Sequence, residues 1–144
     1  MKLSKKCQYA LKAVFELAWR NNGDPIKTQE IAKAQRVSPR FMEIILNELK
    51  HGGFVESRRG NEGGYILAKN SKNINVLDII EYIEGPISLG QDMENKITIG
   101  NEAFNDIWNE IRNAVNKICE NKSFADLVKF ERMKRDRCVL NYNI

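Results

Sequence analysis

The stretch from Thr28 to Ala68 constrains this chain more than any other. Ser38 stands where a helix cap is wanted, and Pro39 follows at the first helical position, where a missing N–H costs nothing. The helix they predict runs to about Lys50, and Gly52-Gly53 stop it. Upstream, Thr28 is a good cap for a short helix over Gln29–Ala34, with Ile31 and Ala32 inward, and Gln35 to Val37 form a tight link. Downstream, two β-type runs, Phe54–Ser57 and Tyr65–Ala68, flank Arg58-Arg59-Gly60-Asn61-Glu62-Gly63-Gly64, which predicts a hairpin. Ahead of all this, Tyr9, Ala10, Ala13, Val14, Leu17 and Ala18 recur at helical spacing, so Ser4–Arg20 reads as an amphipathic helix.

Helix, short helix, link, capped helix and basic hairpin are the plan of a winged helix-turn-helix, with the hairpin as the wing. On the third helix Met42, Ile45, Leu46 and Leu49 form one side, with Phe41 beside them. Arg40, Glu43, Asn47 and Lys50 form the other. A helix entering the major groove needs long polar side chains near its N-terminus. Arg40 can donate twice to a guanine, and Glu43 can accept from a cytosine amine. Any solvated amphipathic helix would show the same pattern; the wing moves the reading towards DNA. Arg58 and Arg59 lie beside Gly60, Gly63 and Gly64, as suits insertion into the negative minor groove. Lys2, Ser4, Lys5 and Thr28, at helix starts, are candidates for phosphate, and Ser38 and Pro39 open the reading helix.

Charge follows this division. Residues 1–70 hold thirteen Lys and Arg against seven Asp and Glu, a net +6; residues 71–144 hold ten against twelve, a net −2. A basic front suggests a polyanion partner. At 144 residues the chain is one domain, or a small domain with an appendage. No apolar run is long enough to span a membrane, and Lys12, Glu16 and Arg20 break the first apolar segment, so no signal peptide is expected and a cytoplasmic protein is. Cys7, Cys119 and Cys138 are odd in number and widely spaced, which argues against disulfides and zinc. With His51 as the sole histidine, a His-based metal or catalytic cluster is not expected. His51 reads instead as a helix-end cap or phosphate contact.

Behind the wing, Asn75 caps a helix over Val76–Glu84, ended by Gly85-Pro86. Residues 87–100, with Asp92 and Glu94, read as a loop. A long helix over Glu102–Glu120 follows, on which Phe104, Trp108, Ile111, Val115 and Ile118 step by four, three, four, three, with Ile107 widening the stripe. That heptad seam suits pairing of two copies, and a two-fold protein matches a palindromic duplex. Packing within one copy would also use such a stripe. Ser123 and Asp126 start a last helix to about Arg132, and the tail from Met133 has no clear period. The expected fold class is mainly α with a small β-hairpin wing: a winged helix-turn-helix over 1–70, a connecting helix and loop over 71–101, and a dimerisation helix and tail over 102–144.

Met1-Lys2-Leu3-Ser4 with Tyr9-Ala10, the stretch Ile31 to Leu49, and Arg59-Gly60 with Gly63-Gly64-Tyr65-Ile66-Leu67 resemble the Rrf family of bacterial transcription regulators over nearly the whole chain. The resemblance implies a homodimeric winged-helix DNA binder with a long dimerisation helix, and the expected function is a transcription regulator that represses. Many members hold an iron–sulfur cluster through three cysteines in the loop before the long helix. Here that loop, Pro86 to Asn101, has none, so no cofactor is expected. Asp78-Ile79-Ile80, Glu84-Gly85-Pro86-Ile87-Ser88 and Trp108 to Val115 resemble the cluster-free branch that controls cysteine metabolism, whereas Pro39-Arg40-Phe41-Met42 departs from it. That branch is controlled by cysteine synthase. The ending Tyr142-Asn143-Ile144 is accordingly a candidate to dock in that enzyme's amino-acid pocket, a frayed terminus being the plain alternative.

A competing function is a thiol-based redox sensor using Cys7, flanked by Lys6, or Cys119. An enzyme would need a nucleophile, base or metal constellation, and none is legible.

Overall fold

The computed structural model describes residues 2–89 and 98–142. In chain order the elements are α1 (Lys5–Trp19), α2 (Thr28–Gln35), α3 (Pro39–His51), β1 (Val55–Arg58), β2 (Gly64–Leu67), a 3-10 turn (Ser71–Asn73), α4 (Val76–Glu84), α5 (Asn101–Glu120) and α6 (Phe124–Tyr142). The fold is mainly helical with one antiparallel hairpin, as the sequence leads one to expect. Asp92, Glu94, Asn143 and Ile144 lie outside the described residues.

Local chemistry sets the boundaries. Ser4 caps α1, its Oγ accepting the Cys7 N–H at 3.1 Å. Ser38 caps α3 by accepting the Phe41 N–H at 3.2 Å, with Pro39 next in line. Thr28 is the first residue of α2 and Lys27 holds the cap position, one residue earlier than the hydroxyl suggests. Between α2 and α3 the chain turns through Arg36 at φ 55°, a left-handed conformation costing about 1–2 kcal/mol for a residue with a Cβ. The turn is held by the Val37 N–H, which donates to the Ala32 carbonyl at 2.9 Å.

The hairpin pairs Val55 with Leu67, Glu56 with Ile66, Ser57 with Tyr65 and Arg58 with Gly64. Its inner strand is also joined to the segment before α2. Ile26 N–H donates to Tyr65 O at 2.9 Å, and Tyr65 N–H donates to Ile26 O at 2.8 Å. Gly64 permits that approach, because a Cβ there would lie 2.4 Å from the Ile26 carbonyl oxygen.

The core gathers round α1. Ala10, Ala13, Val14 and Leu17 meet Ile31 and Ala32 of α2 and Met42, Ile45, Leu46 and Leu49 of α3, with Ile74, Ile79, Phe124 and Val128 from the rear. Burying this apolar area supplies the driving force for the fold. A smaller cluster of Cys7, Ile80 and Ile87, bordered by Val115 and Cys119, joins α1 to α4 and α5. Val76 N–H donates to Lys122 O and Phe124 N–H to Ile74 O, both at 2.9 Å, so the starts of α4 and α6 are tied together. Each start carries a reciprocal cap: Asn75 with Asp78, and Ser123 with Asp126.

The last helix continues well past Arg132, to Tyr142. From Arg132 to Tyr142 every residue is exposed, so no apolar period is imposed on it. Helix-favouring Lys, Arg, Met and Leu, and an i,i+4 pair between Glu131 and Arg135 at 3.0 Å, carry the extension instead. Among the described residues no helix is long and apolar enough to cross a membrane.

Candidate nucleic-acid interface

Burial divides α3 cleanly. Met42, Ile45, Leu46 and Leu49 are enclosed, while Arg40, Glu43, Ile44, Asn47 and Lys50 are exposed on the opposite side. Two groups hold its C-terminal end. The Tyr82 hydroxyl on α4 donates to the Glu48 carbonyl at 3.0 Å, and Lys6 Nζ of α1 pairs with the Glu48 carboxylate at 3.1 Å. Gly52 makes room for Tyr82, since a Cβ there would come within 2.7 Å of that ring. His51 Nδ1 donates to the Asn47 carbonyl at 2.7 Å, so the ring bonds a carbonyl of the last turn.

Two of the sequence-predicted residues meet one wing residue, and a third joins them through Glu43. The Glu43 carboxylate accepts from Thr28 Oγ1 at 2.8 Å and from the Tyr65 hydroxyl at 3.2 Å. The same hydroxyl lies 3.4 Å from Asn47 Oδ1, a longer contact. Thr28 of α2, Glu43 and Asn47 of α3 and Tyr65 of β2 thus form one hydrogen-bonded group across helix-turn-helix and wing. Burial first, then the Glu43 charge and hydrogen bond, raise the Tyr65 phenol above its ordinary value, so it remains a donor at neutral pH. In the sequence Tyr65 reads as a strand residue and as part of the wing motif, and nothing there shows its hydroxyl partners. Ile44 carries no polar signal, although spacing of four from Arg40 and three from Asn47 places it on the outer face.

The wing carries Arg58 at the end of β1 and Arg59, Gly60, Asn61 and Glu62 at its tip, all exposed. Gly60 turns at φ 107°, and its carbonyl accepts the Gly63 N–H at 2.9 Å. Arg58 approaches Glu56 only to 3.8 Å, a solvent-exposed pairing of little strength. Lys2 and Lys5 are exposed at the start of α1. Ser4 there is occupied: besides capping, its hydroxyl donates to the Glu84 carboxylate of α4.

On α5 no residue is fully buried. Phe104, Ile107, Ile111 and Ile118 face outward, Ile118 being 64% exposed. Trp108 and Val115, the other members of the sequence-predicted seam, are half-buried, and Val115 packs against the Cys7 cluster. Trp108 also stacks on Phe104, with ring centroids 6.5 Å apart. Tyr142 closes α6 in an exposed position.

The cysteines do not converge on one centre. Cys7 is enclosed beneath α4, Cys119 borders the same cluster, and Cys138 is exposed far along α6. Burial chiefly, with the Glu84 charge adding and Lys6 opposing, pushes the Cys7 thiol from the ordinary 9.0 up to about 11. Burial also raises Cys119. Both shifts disfavour the thiolate that redox chemistry and metal ligation require. Among the described residues no group of His, Cys, Asp and Glu could hold a metal ion. The donor set therefore does not fit an iron–sulfur cluster.

Comparison with known proteins gives a consistent picture. A family model described as "Rrf2: Iron-dependent Transcriptional regulator" matches residues 3–130. The HTH-type transcriptional regulator CymR of Bacillus subtilis is 32% identical over 130 residues, covering 90% of this chain and 91% of that protein. The solved structure of CymR, the global cysteine regulator of B. subtilis, matches with a TM-score of 0.81 at 32% identity, over 90% of this chain and 98% of that one. IscR of T. potens matches with a TM-score of 0.76 at 28% identity, over 91% and 88% respectively.

Proposed function

The chain belongs to the Rrf2 family of DNA-binding transcriptional regulators and is not an enzyme, and from that premise we propose that it is a homodimeric repressor reading a palindromic operator without an iron–sulfur cluster. The observation that carries this reading is the polar outer face of α3, backed by a closed core and joined through Tyr65 to a basic wing. In it Arg40 donates to a guanine edge in the major groove, Asn47 faces the same groove, and Arg58 and Arg59 enter the adjoining minor groove. Lys2, Lys5 and the Arg40 N–H that follows Pro39 meet phosphates, which supply most of the affinity. Glu43, with two donors already on it, acts chiefly as the brace between α2, α3 and the wing.

The outward face of α5 is the pairing surface. Phe104, Ile107, Ile111 and Ile118 supply the apolar contact, with Trp108 and Val115 completing the seam from the inner side. Two-fold pairing then spaces two reading helices about 34–36 Å apart, one helical turn of DNA. By likeness to the relative named for cysteine regulation, the target genes are those of cysteine and sulfur metabolism, and cysteine synthase is the controlling partner that meets the chain at Tyr142-Asn143-Ile144.

Selection from a randomised duplex library, followed by binding measurements on the recovered sequence and a scrambled one, tests the reading. Arg40→Ala should lower discrimination about ten- to hundredfold, the worth of one bidentate base contact. Arg59→Ala should weaken binding to both duplexes. A parent chain that enriches no sequence would overturn the proposal. Unchanged binding of cysteine synthase by a Tyr142→Ala variant shortened by Asn143 and Ile144 would remove that partner surface alone.

A further inference from the structure

One residue on the reading face has a chemistry unlike its neighbours. Ile44 is 53% exposed although it sits on the helix that contributes Met42, Ile45, Leu46 and Leu49 to the centre of the core. Its spacing from Arg40 and Asn47 puts it in the middle of the outer face, directly away from that core. Around it, Arg40, Glu43, Asn47 and Lys50 are polar or charged. Two of them already have partners: Glu43 is held by Thr28 and Tyr65, and Asn47 lies near the Tyr65 hydroxyl.

A surface laid into the major groove meets hydrogen-bond donors, acceptors and one apolar group, the C5 methyl of thymine. A branched aliphatic side chain offers no hydrogen bond, so thymine is the base edge it can favour. One helical turn separates Ile44 from Arg40, about 6 Å along the axis, against about 3.4 Å per base step. Resting on the DNA-binding reading above, we propose that Ile44 is a specificity-determining residue that packs on a thymine methyl one or two base pairs from the guanine held by Arg40. The operator half-site accordingly carries a thymine that no hydrogen bond of this chain selects.

Replacing thymine by deoxyuridine removes the methyl and leaves the pairing edge intact, which gives a clean test. The probe is the duplex recovered from the randomised library, with each thymine exchanged singly. For the parent chain, one exchange per half-site should weaken binding about fourfold, the worth of one buried methyl, and the others should have little effect. Ile44→Ala should bind the thymine duplex about as weakly as the parent binds that deoxyuridine duplex, and should be indifferent to the exchange. Ile44→Val should fall between. Because Ile44 is outside the core and alanine favours helix, these variants keep the fold. The proposal is overturned if the parent tolerates every exchange, if Ile44→Ala remains as sensitive as the parent, or if the recovered half-site has no thymine in that window. In each of those cases a parent that still prefers its duplex over the scrambled one leaves the DNA-binding reading standing.

Discussion

The helices α3 and α5 are both strongly two-faced, yet they spend that character in opposite directions. The apolar residues of α3 are enclosed by α1 and α2, and its polar residues are left outside. On α5 nothing is fully buried, and much of its apolar side faces away from the rest of the chain. A helix whose oily side is already covered is a finished part of a folding unit and can offer polar groups to something outside. A helix whose oily side is uncovered needs another surface of the same kind. The same sequence periodicity therefore has two meanings, and only the position of the neighbouring elements separates them.

The contrast can be broken by experiment. Leu46→Ala in α3 should lower global stability by about 2–5 kcal/mol, because it opens a cavity in a closed interior; urea unfolding reads this. Ile107→Asp with Ile111→Asp in α5 should raise the dimer dissociation constant at least about hundredfold while leaving the helical content unchanged, as sedimentation and circular dichroism would report. If the α5 pair destabilised the chain as Leu46→Ala does, the outward face of α5 would be part of the monomer's own interior. A smaller effect is expected from Arg20→Ala. Glu16 of α1 is 7% exposed and receives Arg20 Nε and Gln35 Nε2, each at 2.7 Å. Without the guanidinium the enclosed carboxylate loses one of these two donors, and global stability should fall by about 1–3 kcal/mol in the same unfolding experiment.

The smallest predicted effect concerns the thiol at the joint between the two regions. Cys7 holds its proton up to about 11 in the folded chain, against 9.0 as its ordinary value. A folded value above the unfolded one gives stability that is fully present below pH 9 and is lost as pH rises from there through 11. Alkylation followed by mass spectrometry at pH 8 should modify Cys138 first and Cys7 last. Rapid labelling of Cys7 would restore the redox-sensor alternative.

Much of the winged helix was legible because its signals are local. Ser38, Pro39 and Gly52 mark α3 whatever surrounds them, and the alternation around Arg58 to Gly64 marks the hairpin. The brace at Glu43 was not legible, since it depends on Thr28 and Tyr65 arriving from elements distant in sequence. For the same reason Glu43, which reads from its place on α3 as a base contact, carries two internal donors that the sequence does not announce. On α5 the heptad step is visible in the sequence, but whether Trp108 and Val115 or Ile107 turn outward depends on where α4 lies. The far end of α6 had no period to read, because a segment exposed on all sides imposes none.

The backbone stitch between Tyr65 and Ile26, possible because Gly64 has no side chain, also has a mechanical consequence. It anchors the hairpin to the segment leading into the first helix of the turn, so the wing and the helix-turn-helix are held at one spacing like the jaws of a fixed gauge. On the proposed reading, a duplex whose groove width does not match that spacing would have to deform to be bound, so the stiffness of base pairs the protein never touches would enter its affinity.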